Sequence, residues 1–151
     1  MSADVWFATP FRLPDPSDLG DAVVVLDIGF CAQQPGRNYE TVTRPFIDGL
    51  GDRLKLWVDH HDHQRHADWA DDPRFVLVDR VDHPACPELV TVERVAEAGP
   101  IDTIVCHTDF DGIVSAARFL RGGIELYPGC DADARAIDSK VGQPSARAER
   151  I

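Results

Sequence analysis

Histidine and aspartate are concentrated in one short segment of the sequence. Residues 59–66, DHHDHQRH, contain four of the six His residues of the chain together with two Asp residues. Imidazole and carboxylate both bind divalent metal ions, and a set of them without Cys favours Mn²⁺, with Mg²⁺, Co²⁺ or Fe²⁺ as alternatives. The segment is therefore a candidate metal site, although four His could also lie in a polar surface loop.

Three apolar runs of the sequence end in side chains that can bind a metal. Those side chains are Asp27, Asp59, His60, His61, His107, Asp109 and Asp111. A single Asp after a strand often only caps the next turn or helix, and for Asp27 alone that role explains its position equally well. Capping does not explain why D-H-H and H-x-D-x-D-G both stand directly after such runs. His63, His66 and His83 are predicted to lie in solvated loops.

Short apolar runs rich in β-branched residues alternate along the chain with helical patterns. The runs predict strands at 22–26, 54–58, 75–78 and 104–106, with 123–129 as a short fifth candidate. Helices are predicted at 87–99 and 111–123, and more weakly at 40–50 and 131–140. Continuous apolar runs are typical of strands buried on both faces. The alternation predicts an α/β fold with a mostly parallel sheet and helices on both faces.

The chain length suits one domain preceded by an extended segment. Residues 1–20 are rich in Pro and Asp and are predicted to be extended, with a short strand at 5–8 against an edge of the sheet. Residues 21–151 are predicted to form the metal-binding domain.

A parallel sheet explains how residues far apart in sequence could form one site. Parallel strands all end at the same edge, and ligands of such sheets bind outside those carboxyl ends. The seven side chains are therefore expected to converge. So many carboxylates favour two ions about 3.5–4 Å apart, a pair that activates a water molecule for attack on phosphorus.

Composition argues against several classes of protein. A formal net charge of −11 lacks the basic surface of a duplex DNA-binding protein. No apolar run approaches the about 20 residues of a membrane-spanning helix, and the N-terminus lacks the features of a signal peptide. The four Cys residues are scattered, which fits reduced thiols. We therefore expect a cytoplasmic protein that binds neither duplex DNA nor membranes.

The motifs resemble those of the DHH family of phosphoesterases over roughly residues 20–140. Asp59-His60-His61 matches the namesake motif, residues 107–116 (HTDFDGIVSA) match H-x-D-x-D-G-x-x-S-A, and VVVLDIG matches a strand that ends in D-x-G. The resemblance implies an N-terminal catalytic domain of the DHH type. The Mn²⁺ ligands that it implies are His107, Asp109, Asp111, Asp27 and His60.

The resemblance also implies roles for individual residues. Asp27 would bridge both ions, His61 would contact the scissile phosphate, and Asp59 would orient the histidines. Gly112 would let the following helix approach closely, so that the N-terminus of that helix helps to hold a phosphate oxygen.

The chain departs from the family pattern in three respects. The H-x-D-x-D-G motif comes last rather than first, which implies a circularly permuted strand order; otherwise HTDFDG is a separate, late acidic motif. The second, substrate-binding domain of the family has no room in 151 residues, so a homo-oligomer or a partner protein would supply that half. The family's fourth acidic motif is not defined, and its candidates are Asp79, Asp82, Asp102, Asp131, Asp133 and Asp138. Asp79 is predicted to pair with Arg80 instead.

These features predict an Mn²⁺-dependent phosphoesterase that hydrolyses a phosphodiester of a short oligonucleotide or of a nucleotide-derived small molecule. One alternative is a pyrophosphatase-like hydrolase of phosphoanhydrides, and another is a non-catalytic metal-binding or regulatory domain. An all-helical phosphohydrolase of the H-D type would require helical periodicity around the His60–Asp62 segment, whereas LKLWV alternates like a strand.

Overall fold

Strands and helices alternate along the chain in the computed structural model, which describes residues 2–150. The strands are Asp4–Phe7 (β1), Val23–Leu26 (β2), Leu54–Asp59 (β3), Phe75–Leu77 (β4) and Thr103–Cys106 (β5). The α-helices are Arg44–Leu50 (α1), Val92–Ala98 (α2), Phe110–Leu120 (α3) and Cys130–Asp138 (α4). Met1 and Ile151, the outer limits of the predicted segments, lie outside the described residues.

All five strands form one sheet in the order β1-β5-β2-β3-β4. Each of the four pairings is parallel, and Val25 of β2 lies level with Val105 on one side and Trp57 on the other. The predicted α/β fold with a mostly parallel sheet is confirmed. Because β2 lies in the middle, its four residues are completely buried, which explains their unbroken apolar sequence.

Helices cover both faces of the sheet, as the sequence predicts. Successive residues of a strand point to opposite faces, so β2 contributes to two separate cores. Val23 and Val25 pack with Phe46 and Leu50 of α1 on one face. Val24 and Leu26 pack with Ala116 and Phe119 of α3 on the other.

The predicted helices are confirmed with shorter limits. The weak prediction at 40–50 corresponds to a π-helical turn, Tyr39–Thr43, that leads into α1; Pro45 is tolerated because it stands in the first turn of α1. The helix predicted from Pro87 is divided. Pro87–Leu89 is a 3₁₀ turn, and α2 begins only after Thr91, whose side chain caps it.

The fifth strand predicted at 123–129 is wrong. Gly123 and Gly129 have φ angles of 88° and 89°, a left-handed conformation that an extended strand cannot contain. The N-terminal segment supplies the fifth strand, because β1 pairs with β5 at the edge of the sheet. The prediction of a short strand at 5–8 is therefore confirmed within one residue.

None of the helices in residues 2–150 is long and apolar enough to span a membrane.

Candidate metal centre

The site lies at the carboxyl edge of the sheet, where three neighbouring strands end. Asp27 directly follows β2, His60 and His61 follow β3, and His107 follows β5. Because β5, β2 and β3 are adjacent in the sheet, residues 27, 60 and 107 come together although about 80 positions separate the first from the last.

The acidic and imidazole side chains at this edge form three overlapping donor groups. Within each group, one ligand atom per residue lies within 4.8 Å of the others. The groups are Asp27 with His60 and His61, Asp27 with His107 and Asp109, and His60 with Asp111 and Asp138. Two residues are therefore shared: Asp27 joins the first two groups, and His60 joins the first and the third. These residues could hold a metal ion.

His60 lies at the centre of the third group and is completely buried. Its Nε2 atom is 3.4 Å from Asp27 Oδ1, 3.3 Å from Asp111 Oδ2 and 3.6 Å from Asp138 Oδ2. Its other ring nitrogen, Nδ1, lies 2.8 Å from the carbonyl oxygen of His83. A carbonyl oxygen only accepts, so Nδ1 carries the proton in the neutral ring and the Nε2 lone pair faces the three carboxylates.

This arrangement of buried polar atoms fits a divalent cation. Both carboxylate oxygens of Asp27, the Nε2 atom of His60 and the Oδ1 atom of Asp111 are buried without a hydrogen-bond partner among the described residues. Buried polar atoms are nearly always paired, because an unpaired one loses its hydration without compensation. A cation among these lone pairs would satisfy all of them at once. The carbonyl of His83 then serves as the outer partner that metal-binding His residues usually have.

Asp27 is held in a conformation that is uncommon for its residue type. Its φ angle is 58°, in the left-handed region that Asp tolerates better than most side chains. Burial raises the pKa of Asp27 well above its ordinary range, and the nearby charge of Asp109 raises it further. Strained, desolvated residues persist where the surrounding structure holds them, and they are concentrated at functional sites.

Asp109 and Asp111 enter the site from the first turn of α3. Asp109 accepts a 2.9 Å hydrogen bond from the Gly112 N–H and so caps the helix. Burial raises the pKa of Asp109, but this bond and the charge of His107 prevail and bring it below the ordinary value. Asp111 is buried, and desolvation together with repulsion from Asp27 raises its pKa to about 8. A divalent ion would relieve both causes of that increase.

Glycine allows the close contacts that bring these elements together. A Cβ atom on Gly112 would lie 2.3 Å from the backbone oxygen of His107, which confirms that α3 requires Gly at this position. A Cβ atom on Gly29 would lie 3.1 Å from Cβ of His61. In both the D-G and the D-x-G motif, an Asp that belongs to a donor group is thus accompanied by a Gly that permits a close contact between two chain segments.

Asp59 contacts His61 and belongs to none of the donor groups. Its Oδ1 atom is 2.6 Å from His61 Nδ1, and its Oδ2 atom accepts from the His61 backbone N–H at 3.1 Å. It therefore fixes the orientation of His61, whereas His60 is fixed by the His83 carbonyl. The resemblance implied that Asp59 orients both histidines, whereas its contacts run to His61.

Asp138, at the end of α4, is the one residue among the six acidic candidates that belongs to a donor group of the described residues. Three of the other candidates have local partners: Asp102 accepts from Asp21 and Ala22, Asp131 pairs with Arg118, and Asp133 accepts from Tyr127 and Ser145. Asp79 accepts from the Asp82 N–H. No local pattern distinguishes Asp138 in the sequence, because only the packing of α4 brings it to His60.

Arg80 is not paired with Asp79, contrary to the sequence-based prediction. Its Nη2 atom lies 3.3 Å from Asp138 Oδ2 and 2.9 Å from His61 Nε2. The side chain of Arg80 therefore turns from its sequence neighbour toward the donor groups, where a larger concentration of carboxylates attracts it.

His63 and His66 lie in the loop after the D-H-H triplet, outside the donor groups. His63 caps the 3₁₀ turn Gln64–Trp69, and its Nε2 atom is 3.2 Å from the Cys31 carbonyl oxygen. His66 packs edge-on against Phe30. Both are partly buried rather than solvated, and both position the loop.

Comparisons with models of known families, with curated proteins and with solved structures found no significant match to this chain. A function for it therefore has to be inferred from the site itself. The chemistry available there is that of buried carboxylates and imidazoles gathered around shared positions. Such a set can bind divalent cations and can place an anionic oxygen compound beside them.

Proposed function

We propose that this chain is a metal-dependent phosphoesterase that uses two Mn²⁺ ions to hydrolyse a phosphodiester. The proposed substrate is a short oligonucleotide or a nucleotide-derived small molecule. The observation that carries the proposal is the overlap of three donor groups, which are joined through Asp27 and His60.

The donor groups divide naturally between two ions. Asp27, His107 and Asp109 would hold one. His60, Asp111 and Asp138 would hold the other, with Asp27 Oδ1 only 3.4 Å from His60 Nε2. Two divalent ions about 3.5–4 Å apart acidify a water molecule and stabilise the charge that develops on phosphate oxygens. Mixed carboxylate and imidazole donors without Cys favour Mn²⁺ for this task.

His61 is the residue that we assign to the substrate. About a third of its side chain, 35%, is accessible, whereas Asp59 behind it is completely buried. With Nδ1 directed at Asp59, Nε2 lies 2.9 Å from the partly exposed guanidinium of Arg80. The buried carboxylate keeps the imidazole in one orientation and one tautomer, so that no ordering is needed when a phosphate arrives.

The order of the strands supports the proposed kinship with the DHH phosphoesterases. The strand before His107, the strand before Asp27 and the strand before Asp59 lie side by side as β5, β2 and β3. Across the sheet, the three motifs therefore stand in the order that they have along the sequence in the family. Along this chain they occur in a different order. A site built at the edge of a parallel sheet does not depend on the order in which the strands are connected.

Hydrolysis of a short labelled oligonucleotide in Mn²⁺ tests the proposal. We expect the wild-type chain to turn over the substrate and His107→Ala to lose at least about 100-fold in rate, the scale seen when one stabilising group is removed. His66→Ala is the matched control, because it removes an imidazole outside the donor groups. Calorimetric titration with Mn²⁺ accompanies each assay.

The alternatives give different results in the same experiment. Turnover of pyrophosphate without turnover of oligonucleotide would favour a phosphoanhydride hydrolase. Mn²⁺ binding at the predicted residues without any turnover would favour a non-catalytic metal-binding domain. A wild-type chain that binds no divalent ion would overturn the proposal.

A further inference from the structure

Arg80 is the one cationic side chain that reaches the donor groups. Among residues 2–150, it is the only Arg or Lys that forms an ion pair or a hydrogen bond with any of their members or with Asp59. It lies in the loop after β4, an edge strand of the sheet. Its guanidinium lies 3.3 Å from Asp138 Oδ2 and 2.9 Å from His61 Nε2.

Arg80 has donors left for a ligand. Both of its contacts in the site run through Nη2, and the N–H groups of Nη1 take part in no hydrogen bond or ion pair among the described residues. About two fifths of the side chain, 42%, is accessible. A guanidinium has five N–H donors in a planar fork whose spacing matches two oxygens of a phosphate. Arg80 is therefore held through Nη2, while its Nη1 group is available to a ligand.

The contact with His61 places Arg80 beside the residue assigned to the substrate. A guanidinium only donates, so His61 Nε2 accepts from Arg80 while Nδ1 donates to Asp59. Asp59, His61 and Arg80 thus form one chain of hydrogen bonds that runs from the buried interior to the open side of the site. An anion that meets His61 meets the Arg80 guanidinium as well.

The charges of the site require such a cation. Five carboxylates meet here, those of Asp27, Asp59, Asp109, Asp111 and Asp138. Two divalent ions neutralise four of these charges, so the site with its metals still carries one negative charge. The anionic phosphate of a phosphodiester would be repelled by that surplus, and Arg80 cancels it. The net charge of −11 on the whole chain makes a local cation still more necessary.

We propose that Arg80 binds the phosphate group of the substrate directly. His61 and Asp138 hold its guanidinium in place, and the remaining N–H groups of the guanidinium hold the non-bridging oxygens at the metal centre, so that this chain supplies its own phosphate-binding cation. This inference rests on the proposed function, and it identifies the ligand of the site as a phosphate whose non-bridging oxygens are accessible to a guanidinium fork.

Binding of phenylphosphonate, which carries a phosphate-like group that cannot be hydrolysed, tests the inference without turnover. Titrations are made on the Mn²⁺-loaded wild type, Arg80→Gln, Arg80→Lys and Arg121→Gln. Arg121 is the matched control: it removes the same charge at the far end of α3, where Arg121 donates to the Leu126 carbonyl. A preceding Mn²⁺ titration of each protein measures its metal affinity.

We expect Arg80→Gln to bind phenylphosphonate about 10- to 100-fold more weakly, the scale of a lost charge-assisted hydrogen bond. Its Mn²⁺ affinity should stay within about threefold of that of the wild type. Arg80→Lys keeps the charge without the fork and should give an intermediate affinity. Arg121→Gln should match the wild type.

Three results would overturn the inference. They are unchanged phenylphosphonate affinity in Arg80→Gln, a parallel loss of Mn²⁺ affinity that makes Arg80 a positioning residue for Asp138, and no phenylphosphonate binding by the Mn²⁺-loaded wild type. Failure of the proposed function alone gives a different set of results. In that case no ester is hydrolysed, but phenylphosphonate still binds in a manner that depends on Arg80.

Discussion

At the scale of single residues, Asp27 has three features that are each unfavourable for the free energy of folding. It has a left-handed backbone, its side chain is completely buried, and both of its carboxylate oxygens lack partners. Each of these features destabilises the metal-free protein. Together they indicate a residue kept for its ligand rather than for stability.

Replacement of Asp27 by Asn should therefore separate stability from metal binding. Asn tolerates the same left-handed conformation, and it removes a buried carboxyl group whose charged form the fold disfavours. We expect Asp27→Asn to unfold at a higher temperature than the wild type in EDTA. The increase in melting temperature that Mn²⁺ produces in the wild type should be absent from the variant. Thermal unfolding with and without Mn²⁺ measures both effects, and a variant less stable than the wild type in EDTA would contradict this account.

Asp138 provides a second test at the residue scale, with a matched control in the same helix. Asp138→Asn should weaken binding of one Mn²⁺ ion by at least about tenfold, a loss typical of damage to a metal site. Asp131→Asn removes the same charge from α4, but Asp131 pairs with Arg118, so its Mn²⁺ affinity should be unchanged. Calorimetry gives affinity and stoichiometry for both. Equal effects of the two variants would mean that Asp138 acts only through the overall charge.

At the scale of elements, the turn between β5 and α3 is the part of the fold that the site constrains most. His107, Asp109 and Asp111 all lie on this turn or in the first turn of α3. Asp109 caps the helix and also belongs to a donor group, so the helix start and one position that could hold a metal ion depend on the same side chain.

A methyl group at Gly112 should disturb this turn. In Gly112→Ala the new Cβ would clash with the His107 backbone oxygen, and neither backbone segment can move freely between the sheet and the helix. We expect a loss of about 1–3 kcal/mol in the free energy of unfolding, as in other overpacked interiors, together with weaker Mn²⁺ binding. Denaturant unfolding measures the first effect. Ile113→Ala, at a half-exposed position of the same helix, should lose much less.

At the scale of the whole molecule, the site is a consequence of sheet topology. Every pairing in the sheet is parallel, so all carboxyl ends lie on one edge. The acidic side chains that follow the strands therefore lie close together at this edge. Burial and the repulsion between carboxylates raise the pKa values of Asp27 and Asp111. The stability of the molecule should depend on pH for this reason.

The direction of that dependence follows from the two carboxyls. An unfolded chain releases their protons near the ordinary Asp pKa of about 4, whereas the folded chain keeps that of Asp111 up to about pH 8. Between these values the folded state binds more protons, so this contribution to stability is present below about pH 4 and is lost as the pH rises. Mn²⁺ binds the deprotonated forms, so its stabilising effect should grow over the same range.

Melting temperatures from about pH 5 to about pH 8, in EDTA and in Mn²⁺, measure this dependence. Other groups titrate in the same range, so the comparison that isolates Asp111 is with Asp111→Asn. Without metal, the decrease with rising pH should be smaller in that variant than in the wild type. Parallel curves for the two proteins would contradict the raised pKa of Asp111.

Most of the strands and helices, and most of the side chains in the donor groups, can be predicted from local sequence patterns. Apolar, β-branched runs predict β2, β3, β4 and β5 because strands buried on both faces need unbroken apolar sequence. The motifs also contain the close-contact glycines Gly29 and Gly112. Of the seven predicted side chains, all but Asp59 belong to the donor groups, because residues that directly follow parallel strands have only one edge to occupy.

The remaining features of the site depend on tertiary packing. Asp138 and Arg80 carry no local signature, and both reach the site through packing: α4 returns to His60, and the loop after β4 turns Arg80 away from Asp79. Residues 123–129 are a further case. Their apolar residues predict a strand, but the left-handed glycines of this segment form turns. Local pattern specifies a secondary structure and its ends. Which distant side chains meet depends on how helices pack on the sheet, and that information is spread over the whole chain.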